Sequence, residues 1–157
     1  KEGWETAEKA VVIAIKVMNR AGDLAVEDSD SFDAVMSSFK LPKETDEDKA
    51  TRRNAIRTAT LNAAIVPFET ARFALELLEV LPELAISGNA NAVSDVGVAG
   101  LLASAACKGA LFNVQINLDS IPEEMGEELR KKTPVIYEKS RELSREVMDS
   151  VRDRLDN

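Results

Sequence analysis

Three polar residues in the middle of the chain could do chemistry because of where they fall. Counting from Asp95 in steps of about 100° per residue, Val98, Ala99, Leu102, Ala106, Gly109, Asn113 and Asn117 share one helical face. The face is small and apolar in its middle, with a carboxylate at one end and two amides at the other. Set into a core, such groups must find partners or water. A site is one reading of the pattern. The other is local: Asp95 favours a helix N-terminus, and the asparagines end the helix or bond a neighbouring chain end.

A second cluster lies upstream. Glu27-Asp28-Ser29-Asp30-Ser31-Phe32-Asp33 crowds four carboxylates into seven residues. Asp28 and Asp30 suit positions one and three of a calcium loop, but Phe32, Asp33 and Phe39 stand where that loop needs an oxygen ligand, Gly and Glu. The cluster is then either a solvated acidic face or holds one carboxylate turned against apolar neighbours, where desolvation raises its pKa and suits it to proton transfer. Lys49, Arg52, Arg53 and Arg57 share one side of a later segment, preceded by Lys40 and Lys43. They are a solvated stripe paired with Glu47 and Asp48, or a patch that holds an anionic ligand tail.

The chain has no histidine and one cysteine, Cys107, set among alanines. An intramolecular disulfide is excluded, a zinc or imidazole site is disfavoured, and no metal ligand set is expected. Acid–base chemistry is left to carboxylates, lysines, Tyr137 or Cys107. The formal charge of −8 argues against a general nucleic-acid or anionic-membrane surface. No signal peptide and no uninterrupted apolar run of about 18 residues is evident, which sets a soluble cytoplasmic protein as the expectation.

These groups must be positioned by helices. Aromatic residues make up 4% of the 157 and β-branched runs are scarce, so sheet is disfavoured. Apolar residues from about Trp4 to Lys40 follow steps of three and four, with an interruption expected near Gly22. Pro42 ends this block, and Thr45 with Asp48 forms a variant capping box that starts the next helix near Asp46. Pro67 should kink or break that helix. Ser87-Gly88-Asn89 ends it, with Gly88 expected in the left-handed region. The central helix follows from Asn91 or Asp95 to about Leu118. Pro122, Glu123 and Glu124 suit the first turn of a last helix running to about Leu155, interrupted near Pro134. The chain reads as a single all-α domain over residues 1–157, a bundle of four to five long, partly kinked antiparallel helices.

In order along the chain, these segments resemble a known family. Ser94-Asp95-Val96-Gly97-Val98-Ala99, followed by Gly109-Ala110-Leu111-Phe112-Asn113-Val114-Gln115-Ile116-Asn117-Leu118, is similar to the signature of the formiminotetrahydrofolate cyclodeaminase and methenyltetrahydrofolate cyclohydrolase family. Upstream, Asp28-Ser29-Asp30-Ser31-Phe32 resembles the family's Asp-Ala-Glu-Ala-Phe, Leu41-Pro42-Lys43 its Leu-Pro-Lys, Val66-Pro67-Phe68 its Val-Pro-Leu, and Ser87-Gly88-Asn89 its Gly-Asn turn. Family members open with a Pro-Gly-Gly-Gly-Ser segment and a small-residue helix, to which nothing in Lys1 to Trp4 corresponds. The resemblance therefore implies a domain lacking that segment.

The resemblance implies an all-helical homodimer acting on a tetrahydrofolate derivative, with no cofactor beyond that substrate. It implies either cyclodeamination of 5-formiminotetrahydrofolate to 5,10-methenyltetrahydrofolate and ammonia, or hydrolysis of the methenyl compound to 10-formyltetrahydrofolate. By motif position Asp28 is the general acid/base and Asp95 a second catalytic or orienting carboxylate. Ser94, Asn113 and Asn117 are expected to line the substrate site, and Lys43 to meet the anionic glutamyl tail. The competing reading from another class is a non-catalytic helical interaction protein whose small-residue helix is a dimer seam. Such a seam needs the Ala and Gly positions but neither Asp28 nor Asp95.

Overall fold

The computed structural model describes residues 2–156. Four long helices and one short one make up the fold: α1 (Glu2–Ser38), α2 (Asp46–Leu78), α3 (Leu81–Ser87), α4 (Val93–Asp119) and α5 (Glu127–Leu155), with a single 3₁₀ turn at Ala90–Ala92 before α4. There is no strand among the described residues. The all-α bundle read from the periodicity is the architecture found.

The starts and stops follow local chemistry where local chemistry decides. Thr45 caps α2 by accepting from the Asp48 N–H at 3.0 Å, while Asp48 accepts from the Thr45 N–H at 3.1 Å. Asp46, Glu47 and Asp48 put negative charge on the first turn of α2. Gly126 precedes α5 at φ +73°, and a Cβ there would come within 2.6 Å of Leu118 Cδ2. Glycine thus meets both a backbone and a packing requirement at that corner.

Several expected breaks are absent. Helix α1 runs through Gly22, because roughly 1 kcal/mol of glycine penalty is outweighed by contacts on either side, including buried Leu24 and Ala10. Helices α2 and α5 run through Pro67 and Pro134. Gly88 has φ −72°, not a left-handed value; it stands where a Cβ would meet the Leu84 carbonyl oxygen at 2.5 Å. The last helix starts at Glu127, so Pro122 to Met125 form a turn instead of its first turn.

Two arginines of α5 satisfy the carbonyls that helix ends leave open. Arg130 donates to Leu118 O at 2.5 Å and to Met125 O at 3.2 Å, closing the end of α4. Arg154 donates to the carbonyls of Ala85 and Gly88, both at 2.9 Å, closing α3.

Helix α4 is the centre, packed on α2 along one side and on α5 along the other. Its buried face is Val93, Gly97, Gly100, Ala103, Ser104, Cys107, Ala110, Leu111, Val114 and Leu118. This corrects the expected core stripe: Val98 and Leu102 are 55% and 67% exposed, and Gly109 and Asn113 are exposed as well. The glycines sit where α5 comes closest, a Cβ on Gly100 meeting Val147 Cγ1 at 2.8 Å and one on Gly97 meeting Val151 Cγ1 at 3.3 Å. Ala90–Asp119 is long and apolar enough to cross a bilayer, with mean hydropathy 1.4. Of that apolar stretch 39% is buried, against α2 and α5, and the rest is exposed.

Candidate functional site

Helix α1 lies antiparallel to α2, tied by Lys16 to Glu76 at 2.6 Å and by Arg20 to Glu69 at 2.8 Å. Helix α2 in turn lies antiparallel to α4, with Asn117 meeting Ala63 at the far end. Helices α1 and α4 are therefore parallel. They stand apart from each other, and α2 floors the trough between them. One stretch of the trough is an apolar cleft of about 260 Å³ lined by Ala21 and Leu24 of α1, Ala74 and Leu77 of α2, and Leu102 and Ala106 of α4.

Two helical turns separate Ala21 from Asp28 and Ala106 from Asn113. Asp28 and Asn113 thus occupy the trough-facing sides of α1 and α4 at the same level, next along from the apolar cleft. Both are exposed. One turn further, Asn117 is half-buried and donates its side-chain amide to the Ala63 carbonyl at 3.0 Å. Pro67 has no N–H to offer that carbonyl, so Asn117 supplies the missing donor and pins α4 to α2 at the trough floor. Lys43 follows the end of α1 at this same end of the bundle and is exposed.

Ser94 and Asp95 lie elsewhere. They open α4, and at 1.5 Å per residue Asp95 is about 27 Å from Asn113 along the helix. Both are exposed. Within one chain, then, the trough gathers Asp28, Asn113 and Asn117 and leaves Ser94 and Asp95 five turns away.

The neighbouring acids are held differently from Asp28. Arg20 donates to both Glu27 oxygens at 2.5 and 2.8 Å while also reaching Glu69. The Arg20 hydrogen bond holds the Glu27 carboxyl below its ordinary range. This clamp fixes α1 on α2 immediately before Asp28, and nothing in the local sequence pattern marks Arg20 for it. Burial pushes the Cys107 thiol up, as expected of an inert core residue. In the basic stripe, Lys49 pairs with Asp46, and Arg52 donates to the Phe39 carbonyl while lying over its ring.

A larger groove of about 700 Å³ lies on the other side of α1, between α2 and α5. Its rim includes Lys16, closed onto Glu76, and Lys131 and Lys132, closed onto Glu127 and Glu128. Phe68 of the Val66-Pro67-Phe68 motif lines it, but none of Asp28, Lys43, Ser94, Asp95, Asn113 and Asn117 does, and the trough is the candidate site because Asp28, Asn113 and Asn117 follow from its lining at helical spacing.

Residues 1–134 match the profile of the family described as formiminotransferase-cyclodeaminase. The chain belongs to this family. A methenyltetrahydrofolate cyclohydrolase from Methylorubrum extorquens is 32% identical over 133 residues, which are 84% of this chain and 64% of that protein. A formimidoyltransferase-cyclodeaminase from Sus scrofa is 37% identical over 97 residues, 62% of this chain and 18% of that protein. The crystal structure of formiminotetrahydrofolate cyclodeaminase from Thermotoga maritima matches with a TM-score of 0.64 and 27% identity, covering 97% of this chain and 67% of that one. The chain thus spans just under two thirds of the cyclohydrolase and a smaller share of the animal formimidoyltransferase-cyclodeaminase. Family membership accounts for the ordered motif array; the trough is where this member brings part of that array together.

Proposed function

We propose that this chain is a folate one-carbon enzyme that converts 5-formiminotetrahydrofolate to 5,10-methenyltetrahydrofolate and ammonia. In this reaction N10 attacks the formimino carbon carried on N5, giving a tetrahedral carbon between two nitrogens. Its collapse expels the former imino nitrogen as ammonia, which must be protonated as it leaves. Asp28 is the general acid/base for that transfer. Asn113 orients the substrate across the trough, Asn117 holds the α2 backbone beneath it, and Lys43 meets the carboxylates of the glutamyl tail. Asp95, with Ser94 beside it, is the second carboxylate of the site.

What supports the reading is that Asp28 and Asn113 each lie two helical turns beyond a residue lining the same apolar cleft, Ala21 of α1 and Ala106 of α4. A helix used only as a packing seam has no need of either residue. Hydrolysis of 5,10-methenyltetrahydrofolate is the second reading, favoured by the similarity to the Methylorubrum extorquens cyclohydrolase over 84% of this chain. It passes through the same kind of tetrahedral carbon, with water as the entering group. The protein acts in the cytoplasm as a homodimer in either reading.

Absorbance of methenyltetrahydrofolate tests both. Purified full-length protein supplied with the formimino substrate should raise it, and supplied with the methenyl substrate should lower it if it is a hydrolase. The faster substrate names the reaction, and turnover of neither would refute the proposal.

A further inference from the structure

We propose that the groove of about 700 Å³ between α2 and α5 is a second binding site, for a small amphipathic dianion: an apolar body with a doubly charged head, either a phosphate monoester or two adjacent carboxylates. The groove has the size of a small-molecule pocket and shares only Phe73 with the apolar cleft of the trough. Its lining sets four cations, Lys16, Arg72, Lys131 and Lys132, against two acids, Glu76 and Glu79, in a chain whose formal charge is −8. A local excess of positive charge in an acidic protein complements an anion.

The helix directions gather three of these cations at one level. Helix α5 is antiparallel to α4, since Gly97 faces Val151 and Gly100 faces Val147. Helix α2 is antiparallel to α4 as well, so α2 and α5 run parallel. The Glu79–Lys139 ion pair bridges them. Seven residues earlier on each helix stand Arg72 and Lys132, two turns and about 10 Å from that bridge, with Lys131 beside Lys132. Between the two levels Leu75 of α2 and Val135 and Ile136 of α5 supply apolar surface. On the α1 side Lys16 lies over the Phe73 ring, 5.4 Å from its centre. A head held by Arg72, Lys131 and Lys132 thus leaves about 10 Å for the body, which suits two fused rings.

The cations at that level are available. Arg72 is exposed and has no hydrogen bond or ion pair among the described residues, and its planar fork matches a carboxylate or a phosphate. Lys131 and Lys132 pair with Glu127 and Glu128 one turn back on the same helix, all four side chains being at least 55% exposed. Exposed pairs of this kind hold weakly, so both lysines can turn to a doubly charged head. The buried Leu75 and half-buried Ile136 then remove the body from water.

Isothermal titration of the full chain with 1-naphthyl phosphate, N-benzoylglutamate and neutral 1-naphthol tests the site without enzymatic activity, so the result is independent of the folate reading. At least one of the two anions should bind, ~10-fold or more tighter than 1-naphthol, the scale of a hydrogen bond to a charged group; the tighter anion identifies the head. Arg72→Ala, and Lys131→Ala combined with Lys132→Ala, should each weaken binding by ~10-fold or more on the same scale. Val135→Glu, which puts an acid beside the cations, should abolish it. Arg145→Ala, on α5 but outside the groove, should leave it unchanged. All these positions are exposed, and circular dichroism checks that the variants keep their helices. Failure of both anions to bind, or equal binding of 1-naphthol, would overturn the proposal. Anion binding that Arg72→Ala and Val135→Glu leave unmoved would also overturn it, by placing the anion elsewhere on the chain.

Discussion

The side-chain amide of Asn117 donates to the Ala63 carbonyl at 3.0 Å, and that carbonyl is the one Pro67 leaves without a helical donor. Two positions far apart in sequence thus solve one problem: α2 keeps its course through a buried proline, and α4 is registered against it at the floor of the trough.

This relationship has a measurable energy. Asn117→Ala should lower stability by about 1 kcal/mol, near the lower end for an unmade hydrogen bond because the side chain is only half-buried. Introducing Pro67→Ala restores a backbone N–H at position 67, so Asn117→Ala should cost less in that background. Urea unfolding of the two single variants and the double variant measures the coupling. Equal losses in both backgrounds would mean that Asn117 does not serve the orphaned carbonyl.

The approach of α4 to α5 depends on Gly100, where an added Cβ would come within 2.8 Å of Val147 Cγ1. Val147 is fully buried and has no room to turn aside. Gly100→Ala should therefore cost about 1–3 kcal/mol, the usual scale for overpacking. Gly97→Ala, with its nearest contact at 3.3 Å, should cost less. Thermal unfolding should rank them in that order, and trimming the obstacle with Val147→Ala should relieve part of the Gly100→Ala loss.

At the start of α2, stability should depend on pH through the capping box. Thr45, through its side chain first and its backbone N–H second, holds the Asp48 carboxyl below its ordinary value. A carboxyl depressed in the folded state adds stability that is present above its unfolded pKa and is lost as pH falls through the lower folded value, here below about pH 4. Thr45→Ala should cost about 1 kcal/mol at neutral pH, and the gap to the parent should narrow in acid. Urea midpoints across that range check it; a gap that stays constant would show that Asp48 is not linked to the cap.

Which features could be read ahead of the coordinates follows from how local their causes are. The Thr45 cap, the turn at Pro42 and the core position of Cys107 are set by near neighbours and were legible. The unbroken course of α1 past Gly22 was not, nor that α2 would continue past Pro67 without a break, because Leu24 packing and the Asn117 amide involve residues distant in sequence. The core face of α4 was misassigned for a different reason. Its exposed side is also apolar, so hydrophobic periodicity has little contrast, and the glycines that face α5 are chosen for closeness and not for hydrophobicity. Asp28 was singled out by its motif; its level with Asn113 required the parallel placement of α1 and α4. Arg20, Arg130 and Arg154 carry no mark in the sequence, where a surface arginine and one that clamps carboxylates or helix ends look alike.

The most direct test of the central claim, that the Asp28 end of the trough is the site of folate chemistry, is the turnover of full-length Asp28→Asn, followed by methenyltetrahydrofolate absorbance. A loss of at least ~10²-fold is expected, the scale for a removed acid–base group, with helical content unchanged and with Asp30→Asn, which changes a neighbouring acid of the same cluster, close to the parent. Turnover of Asp28→Asn at the parental rate would contradict it.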